Sequence, residues 1–263
     1  VIRSFSNISK WLRCYFLSAD VIRLFQDSPE GRRKVLDQCC SKKDKDYRSS
    51  LKQYKRIIRQ KNNALKNQSD PLLIETLNKQ LIPYADHLVS VRKNIVQQLI
   101  PILLNRVRES LSFEVLDLNI KYVPKRVQYD ENDCYIDCLQ KQWNEDREKE
   151  YCIGYTLSGP HRDDFEIDIN GKSLFLYYSR GINRIISILF NMAIIALKEP
   201  DSMPIVLLDD VFSEIDNKHK KYLIQGFEKK AHVFYTTVLK SDQQFFEDPV
   251  VYHIKQGQLL REK

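Results

Sequence analysis

The chain has 263 residues, enough for one large or two modest domains, and 43% of them are apolar, ample for a core. Lys and Arg exceed Asp and Glu by 42 to 35, a modest basic balance that favours an anionic partner such as nucleic acid. Six cysteines with no CxxC pair and no signal peptide make reduced thiols the default expectation, and no apolar run approaches the ~18 residues of a membrane span. A soluble, cytoplasmic protein with reduced thiols and no membrane partner is expected. Cys134, Cys138 and Cys152 lack a nearby His or fourth Cys, which argues against a zinc site.

The chain begins Val1-Ile2-Arg3 with no initiator Met, so it is expected either to have been cut or to use an unusual start codon. Residues 1–26 mix short apolar runs (Trp11-Leu12, Tyr15-Phe16-Leu17) with basic residues, like the tail of an incomplete unit. Ser18-Ala19-Asp20 is a cap for a short helix over Val21 to Phe25. Ser28-Pro29-Glu30 opens another, with Pro in the first turn and Glu at the positive end of the helix dipole. From Asp46, Tyr47, Leu51, Tyr54, Ile58 and Leu65 step by four, three, four and seven, a heptad-like helical seam. Ser69-Asp70-Pro71 breaks that helix and starts a second, whose apolar residues run from Leu77 to Ile95. Pro83 inside it predicts a kink or a division. Two long helices joined by a short turn make an antiparallel arm.

Alternation from Leu116 to Tyr122 predicts a strand, and residues 130–150 a strongly charged helix. Phe165, Ile167 and Ile169 alternate with Glu166 and Asp168, and Asn170-Gly171 signals a tight hairpin into a strand reaching about Tyr177. A helix opens at Ser179 and runs to Leu197. A buried strand at 204–208, a helix at about 217–230, a strand from Val233 to Thr237 and a closing hairpin around Gln256-Gly257 complete the chain. The alternation after 179 is that of an α/β half-domain.

The strand at 204–208 ends in Asp209-Asp210, at the sheet edge where open α/β sheets bind ligands. Adjacent carboxylates repel and favour a shared cation or proton. By themselves they are equally well an Asp-Asp turn capping a core strand. Their neighbours tip the balance: Ser179-x-Gly181-x-x-Arg184 opens a helix before the strand, and Ser213-Glu214-Ile215-Asp216 follows it. In this order the three pieces resemble the signature, Walker B and D-loop of an ABC-type ATPase head. Gly159-Pro160-His161-Arg162-Asp163-Asp164 and Arg59-Gln60-Lys61-Asn62 narrow the resemblance to the RecF family of bacterial recombination mediators, over nearly the whole chain.

That resemblance implies an α/β ABC-type ATPase head, of which this chain supplies the carboxyl half (a mixed sheet with helices), plus an inserted antiparallel α-helical arm. It implies three segments: residues 1–40 end the first head lobe, 41–112 form the arm, and 113–263 carry the remaining head motifs. Asp209 would hold Mg²⁺ and Asp210 orient the attacking water; Thr237 would stand at the switch position that senses the γ-phosphate, where many members have His. Ser179, Gly181, Arg184 and Asp216 would face ATP bound to a second subunit. Two departures stand out. Arg180, Ile182 and Asn183 replace the family's glutamines, and no GxxxxGK[ST] phosphate loop occurs in these residues. In the family that loop precedes the point where this chain begins.

The implied protein is a weak, DNA-dependent ATPase when completed by that loop. It binds single-stranded, gapped and duplex DNA as an ATP-dependent homodimer, and works with other recombination mediators. The alternative is a non-catalytic DNA- or protein-binding fragment. An SMC-like structural ATPase is disfavoured by the shortness of the arm. Between Lys42 and Lys66 ten Lys or Arg stand against Asp44 and Asp46, an excess that makes Lys52, Lys55, Arg56 and Arg59 candidates for DNA-backbone contact, with Arg32 and Arg33 joining them. His161 and Arg162 read as structural.

Overall fold

The computed structural model describes residues 13–111, 113–128, 133–198 and 203–262; the run at Trp11-Leu12 lies outside them. The chain enters with β1 (Cys14–Ser18), a strand that no alternation in the sequence announces. Ser18 then caps α1 (Ala19–Asp27), its Oγ accepting from the Val21 N–H at 3.3 Å. Ser28 caps α2 (Pro29–Lys43) in the same way, accepting from the Gly31 N–H at 3.0 Å. Asp44 Oδ1 takes the N–H groups of Asp46 and Tyr47 at the start of α3 (Tyr47–Lys66), and the seam residues Tyr47, Tyr54, Ile58 and Leu65 are buried. After a turn comes α4 (Pro71–Ser110), 40 residues long and undivided at Pro83 or Pro101. Both prolines are exposed, so the carbonyls that lose an amide partner lie on the wet side of the helix.

The strand β2 (Leu118–Val123) is followed by two helices, α5 (Tyr135–Glu145) and α6 (Arg147–Ile153), where the sequence predicts one. The first residues of that prediction lie outside the described ones, and Asp146 marks the break, buried against Arg126 at 2.6 Å. Next, β3 (Asp164–Ile169) pairs antiparallel with β2 along its whole length. Asn170 and Gly171 take φ of 50° and 73°, the left-handed pair that a type I′ turn requires. The strand after the turn, β4 (Lys172–Ser173), is much shorter than predicted. A helical turn, α7 (Leu174–Tyr177), replaces its remainder, because Leu174 is drawn into the core and the Tyr178 hydroxyl donates back to the Ile169 carbonyl at 2.9 Å.

The last third is α8 (Arg180–Lys198), β5 (Ile205–Asp209), α9 (Asn217–Glu228), β6 (His232–Thr236), a 3-10 turn at Lys240–Phe245 and the terminal hairpin of β7 (Tyr252–Lys255) and β8 (Gln258–Arg261). α8 corrects the expectation about apolar runs. Its 19 residues, with a mean hydropathy of 1.5, are by length and composition enough to cross a membrane, and 67% of that window is buried inside the protein. That is the composition of a core helix. Strands β1, β5 and β6 form a parallel sheet in the order β1-β5-β6, and their carboxyl ends align Ser18, Asp209 and Thr236 in one row.

Two compact units emerge. One gathers the described residues up to Arg23, residues 105–114 and residues 179–263; the other gathers residues 24–104 and 115–178. In the first, Val206 and Leu208 of β5 are buried together with Ile186, Leu189 and Phe190 of α8 and Leu223 and Ile224 of α9. In the second, Phe25, Phe165, Ile167 and Ile169 and the seam of α3 are buried. Each such side chain contributes about 1.5–3 kcal/mol by leaving water.

Candidate functional site

The first unit carries the paired carboxylates. Asp209 ends β5 with an exposed side chain, and its Oδ1 accepts the Thr236 hydroxyl at 2.5 Å. Asp210 is also exposed and leaves the sheet at φ 49°, a left-handed conformation that Asp tolerates better than most residues. The turn is held by Arg184, which reaches across from α8. Its Nε donates to the Val211 carbonyl at 3.2 Å, and its Nη2 to the Ser213 hydroxyl at 3.0 Å and the Asp210 carbonyl at 3.4 Å. Buried and held by these bonds, with Nη1 3.8 Å from the exposed Glu214 carboxylate, Arg184 fixes the signature helix to the carboxylate turn.

Ser179 caps α8, its Oγ and carbonyl taking the N–H groups of Ile182 and Asn183. Gly181 is exposed, and a Cβ there would meet only Ser179 Oγ, at 4.0 Å. Packing within the chain therefore does not explain the glycine, which stands in the first turn of a 19-residue helix, at the positive end of its dipole. Asp216 caps α9, accepting from the Lys218 and His219 N–H groups at 3.1 Å and pairing with His219 Nδ1 at 2.5 Å. Although desolvation opposes it, the His219 hydrogen bonds hold the Asp216 carboxyl below its ordinary pKa.

Thr237 sits elsewhere. Its hydroxyl donates to Asp242 Oδ2 at 2.8 Å, in a buried cluster that also holds Lys220 Nζ at 2.8 Å and the Tyr235 hydroxyl at 2.8 Å. The threonine beside the carboxylates is Thr236, one residue earlier. Strand alternation sends neighbouring side chains to opposite faces, and only the register of β6 against β5 decides which of the two meets Asp209. Among the described residues no three His, Cys, Asp or Glu side chains converge. A cation at Asp209 would therefore complete its shell with phosphate oxygens and water, the usual arrangement for Mg²⁺ at a nucleotide. The exposed carboxylates and the Thr236 bond fit that group.

The second unit is organised around residues 159–164. Gly159 has φ 128°, and a Cβ there would lie 2.7 Å from the Tyr54 hydroxyl. The Pro160 carbonyl accepts from buried Arg92 at 2.7 Å, and the same guanidinium grips Asp37 at 2.8 Å. His161 Nδ1 meets the Tyr54 hydroxyl at 2.8 Å; burial pushes this imidazole down to about 3, so it is neutral. Asp163 accepts from the hydroxyls of Tyr135 (2.6 Å) and Tyr122 (2.9 Å) and the Lys125 N–H (3.1 Å). Asp164 receives both prongs of Arg32, at 2.9 and 2.7 Å.

Arg32 is thus buried in a bidentate pair and stacked on Phe175 at 4.8 Å, and Arg33 donates to the Asp163 carbonyl at 2.7 Å. Lys52, Lys55, Arg56 and Arg59 instead stand exposed on α3, none of them paired with a carboxylate among the described residues. Helical periodicity places Arg48, Lys52, Lys55, Arg59 and Lys66 on one side, with no acidic residue anywhere on that helix. Lys61 escaped the sequence reading. It fills the gap in the seam between Ile58 and Leu65, fully buried on Glu150 at 2.8 Å, and that missing heptad position was the available signal.

No protein-family model matches the chain. It is 29% identical over 261 residues to the DNA replication and repair protein RecF of Staphylococcus aureus, across 95% of this chain and 70% of that protein. It is 30% identical over 262 residues to the protein of the same description from Staphylococcus epidermidis, with the same coverage. Among solved structures it matches the recombination mediator protein RecF-ATPrS of the RecFOR pathway with a TM-score of 0.81 and 27% identity, covering 99% of this chain and 70% of that one. RecF-ATP of the same pathway matches with a TM-score of 0.78 and 26% identity, over 96% and 68% of the two chains.

Proposed function

The chain belongs to the RecF family of DNA replication and repair proteins, with the carboxyl half of an ABC-type ATPase head and an inserted helical arm, and from that premise we propose that it acts in the cytoplasm as part of an ATP-gated DNA-binding dimer. The observation that carries this reading is the Asp209–Asp210 turn, exposed at the end of β5, bonded to Thr236 and clamped by Arg184. When bound, Mg-ATP supplies the phosphoryl group to be cleaved and the cation that balances its charge. Asp209 would hold that cation, and Asp210 would orient and polarise the attacking water. Ser179 and the N–H of Gly181 serve the site of a second copy, where a nucleotide closes two heads together, and Asp216 lies at their seam. The arm, proposed over residues 41–112, contacts the phosphates of single-stranded, gapped or duplex DNA through Lys52, Lys55, Arg56 and Arg59. The partners proposed are recombination mediators of the same pathway.

The test is Asp210→Asn in a protein that joins these residues to a phosphate-binding loop. ATP turnover falls and the dimer lives longer; turnover and lifetime both unchanged would remove the role of Asp210. A second reading, a DNA- or protein-binding piece without catalysis of its own, is favoured by the lack of any GxxxxGK[ST] in residues 1–263. It requires that these residues alone bind Mg-ATP weakly, and tight binding in a calorimetric titration would refute it.

A further inference from the structure

We propose that Tyr155 and Arg162 form a stacking platform for an unpaired DNA base beside the basic face of α3. The inference rests on the reading of the arm as a DNA-binding element and names the chemistry that would let it distinguish single-stranded from duplex DNA.

Tyr155 is a large aromatic that the fold leaves 38% exposed. The Arg162 guanidinium lies over its ring, 5.3 Å from the centroid, within cation–π range. Neither residue is loose. Arg162 Nη2 donates to the Thr156 carbonyl at 3.4 Å, and the Arg162 carbonyl accepts from Arg33 Nη1 at 3.3 Å. Thr156, next to Tyr155, donates both its N–H and its hydroxyl to Asn62 Oδ1 on α3, each at 2.8 Å. Gly154, on the other side, turns at φ 72° against the stem of Lys66, where a Cβ would come within 2.9 Å. The segment is strapped along α3, and the aromatic ring is presented on a fixed backbone.

Its position on the helix matters. Counting about 100° per residue, Asn62 stands at the edge of the buried seam, immediately beside the arc occupied by Lys55, Lys66, Arg48, Arg59 and Lys52. A strand whose phosphates track that arc brings its bases to Tyr155. Cationic stripes with an aromatic at their margin are how proteins hold single-stranded nucleic acid: the cations take the backbone, and the π-face takes any base regardless of sequence. A paired base inside a duplex has no free face to offer, so the platform adds affinity only where bases are unpaired. The ordered Arg162–Tyr155 stack loses little rotamer freedom on binding.

The experiment uses the full 263-residue chain and fluorescence anisotropy with labelled oligo-dT, a blunt duplex of equal length and a gapped duplex. Y155A weakens oligo-dT and gapped DNA by about five-fold or more and leaves the blunt duplex unchanged, and Y155W restores the loss. The K52E/K55E variant weakens all three DNAs together and flattens their salt dependence. If Y155A lowers duplex and single-strand affinity equally, or changes neither, the platform is refuted while the basic face stands. Competition by polyglutamate as effective as that by oligo-dT would also refute it, showing that the surface reads charge alone. If the chain binds none of the three DNAs, alone or joined to a phosphate-binding loop with Mg-ATP present, the DNA-binding reading itself falls, and the platform with it.

Discussion

The Thr236 hydroxyl donates to Asp209 Oδ1 at 2.5 Å, while Thr237, its neighbour, turns to Asp242. Two threonines that are interchangeable in the sequence therefore have separable jobs. Thr236→Val leaves stability within about 1 kcal/mol, because both partners are exposed to water. It also lowers ATP turnover in a nucleotide-competent protein by loosening the carboxylate proposed to hold the cation. Thr237→Val does the reverse: it removes one donor from the buried Asp242 cluster, costs about 1–2 kcal/mol in urea denaturation, and spares turnover. Equal effects of the two variants on turnover would contradict this division.

The buried neutral His161 sets a pH dependence. Its pKa falls from 6.5 to about 3, the first cause being burial. Its Nδ1 faces the Tyr54 hydroxyl and its Nε2 faces the Thr156 carbonyl, the pattern of an imidazole accepting at Nδ1 and donating at Nε2. Between those two pKa values the unfolded chain binds a proton that the folded chain refuses. Stability therefore rises with pH in that window and is lost on acidification below about 6.5, by roughly 3 kcal/mol at pH 4. Urea midpoints measured from pH 7 to pH 4 should fall steeply for the native chain. The slope should be shallower for His161→Gln, which keeps polar groups at the site without the titration.

Lys61 and Glu150 make a fully buried pair at 2.8 Å, with the ammonium also 5.0 Å from the centre of the Trp143 ring. Desolvation pulls the Lys61 pKa down and Glu150 pushes it back up. Removing one partner strands a charge. Lys61→Met is expected to destabilise by about 3–5 kcal/mol, and the double change Lys61→Met with Glu150→Leu to recover most of it. Thermal denaturation of the single and double variants checks this, and simple additivity would mean that the two charges do not stabilise each other.

The sequence by itself determined most of the elements, the order of the head motifs and the family they belong to. Caps at Ser18 and Ser28, the seam from Tyr47 to Leu65 and the Asn170-Gly171 turn are local signals, and local signals survive in one dimension. So is the Asp209-Asp210 pair, whose place at the end of a buried strand follows from the apolar run before it. What the tertiary structure decided is where each polar side chain goes. Arg32 and Arg184 look like binding residues in the sequence and turn inward, because Asp164, 132 residues away, and the Val211 carbonyl, 27 residues away, complete their hydrogen bonding. Strand register made Thr236 the neighbour of Asp209. A helical turn displaced the end of β4, and the prolines of α4 were tolerated because they face water. A buried donor or acceptor must find a partner wherever the fold brings one, and that partner is a property of the packed chain, not of the residue's neighbours in sequence.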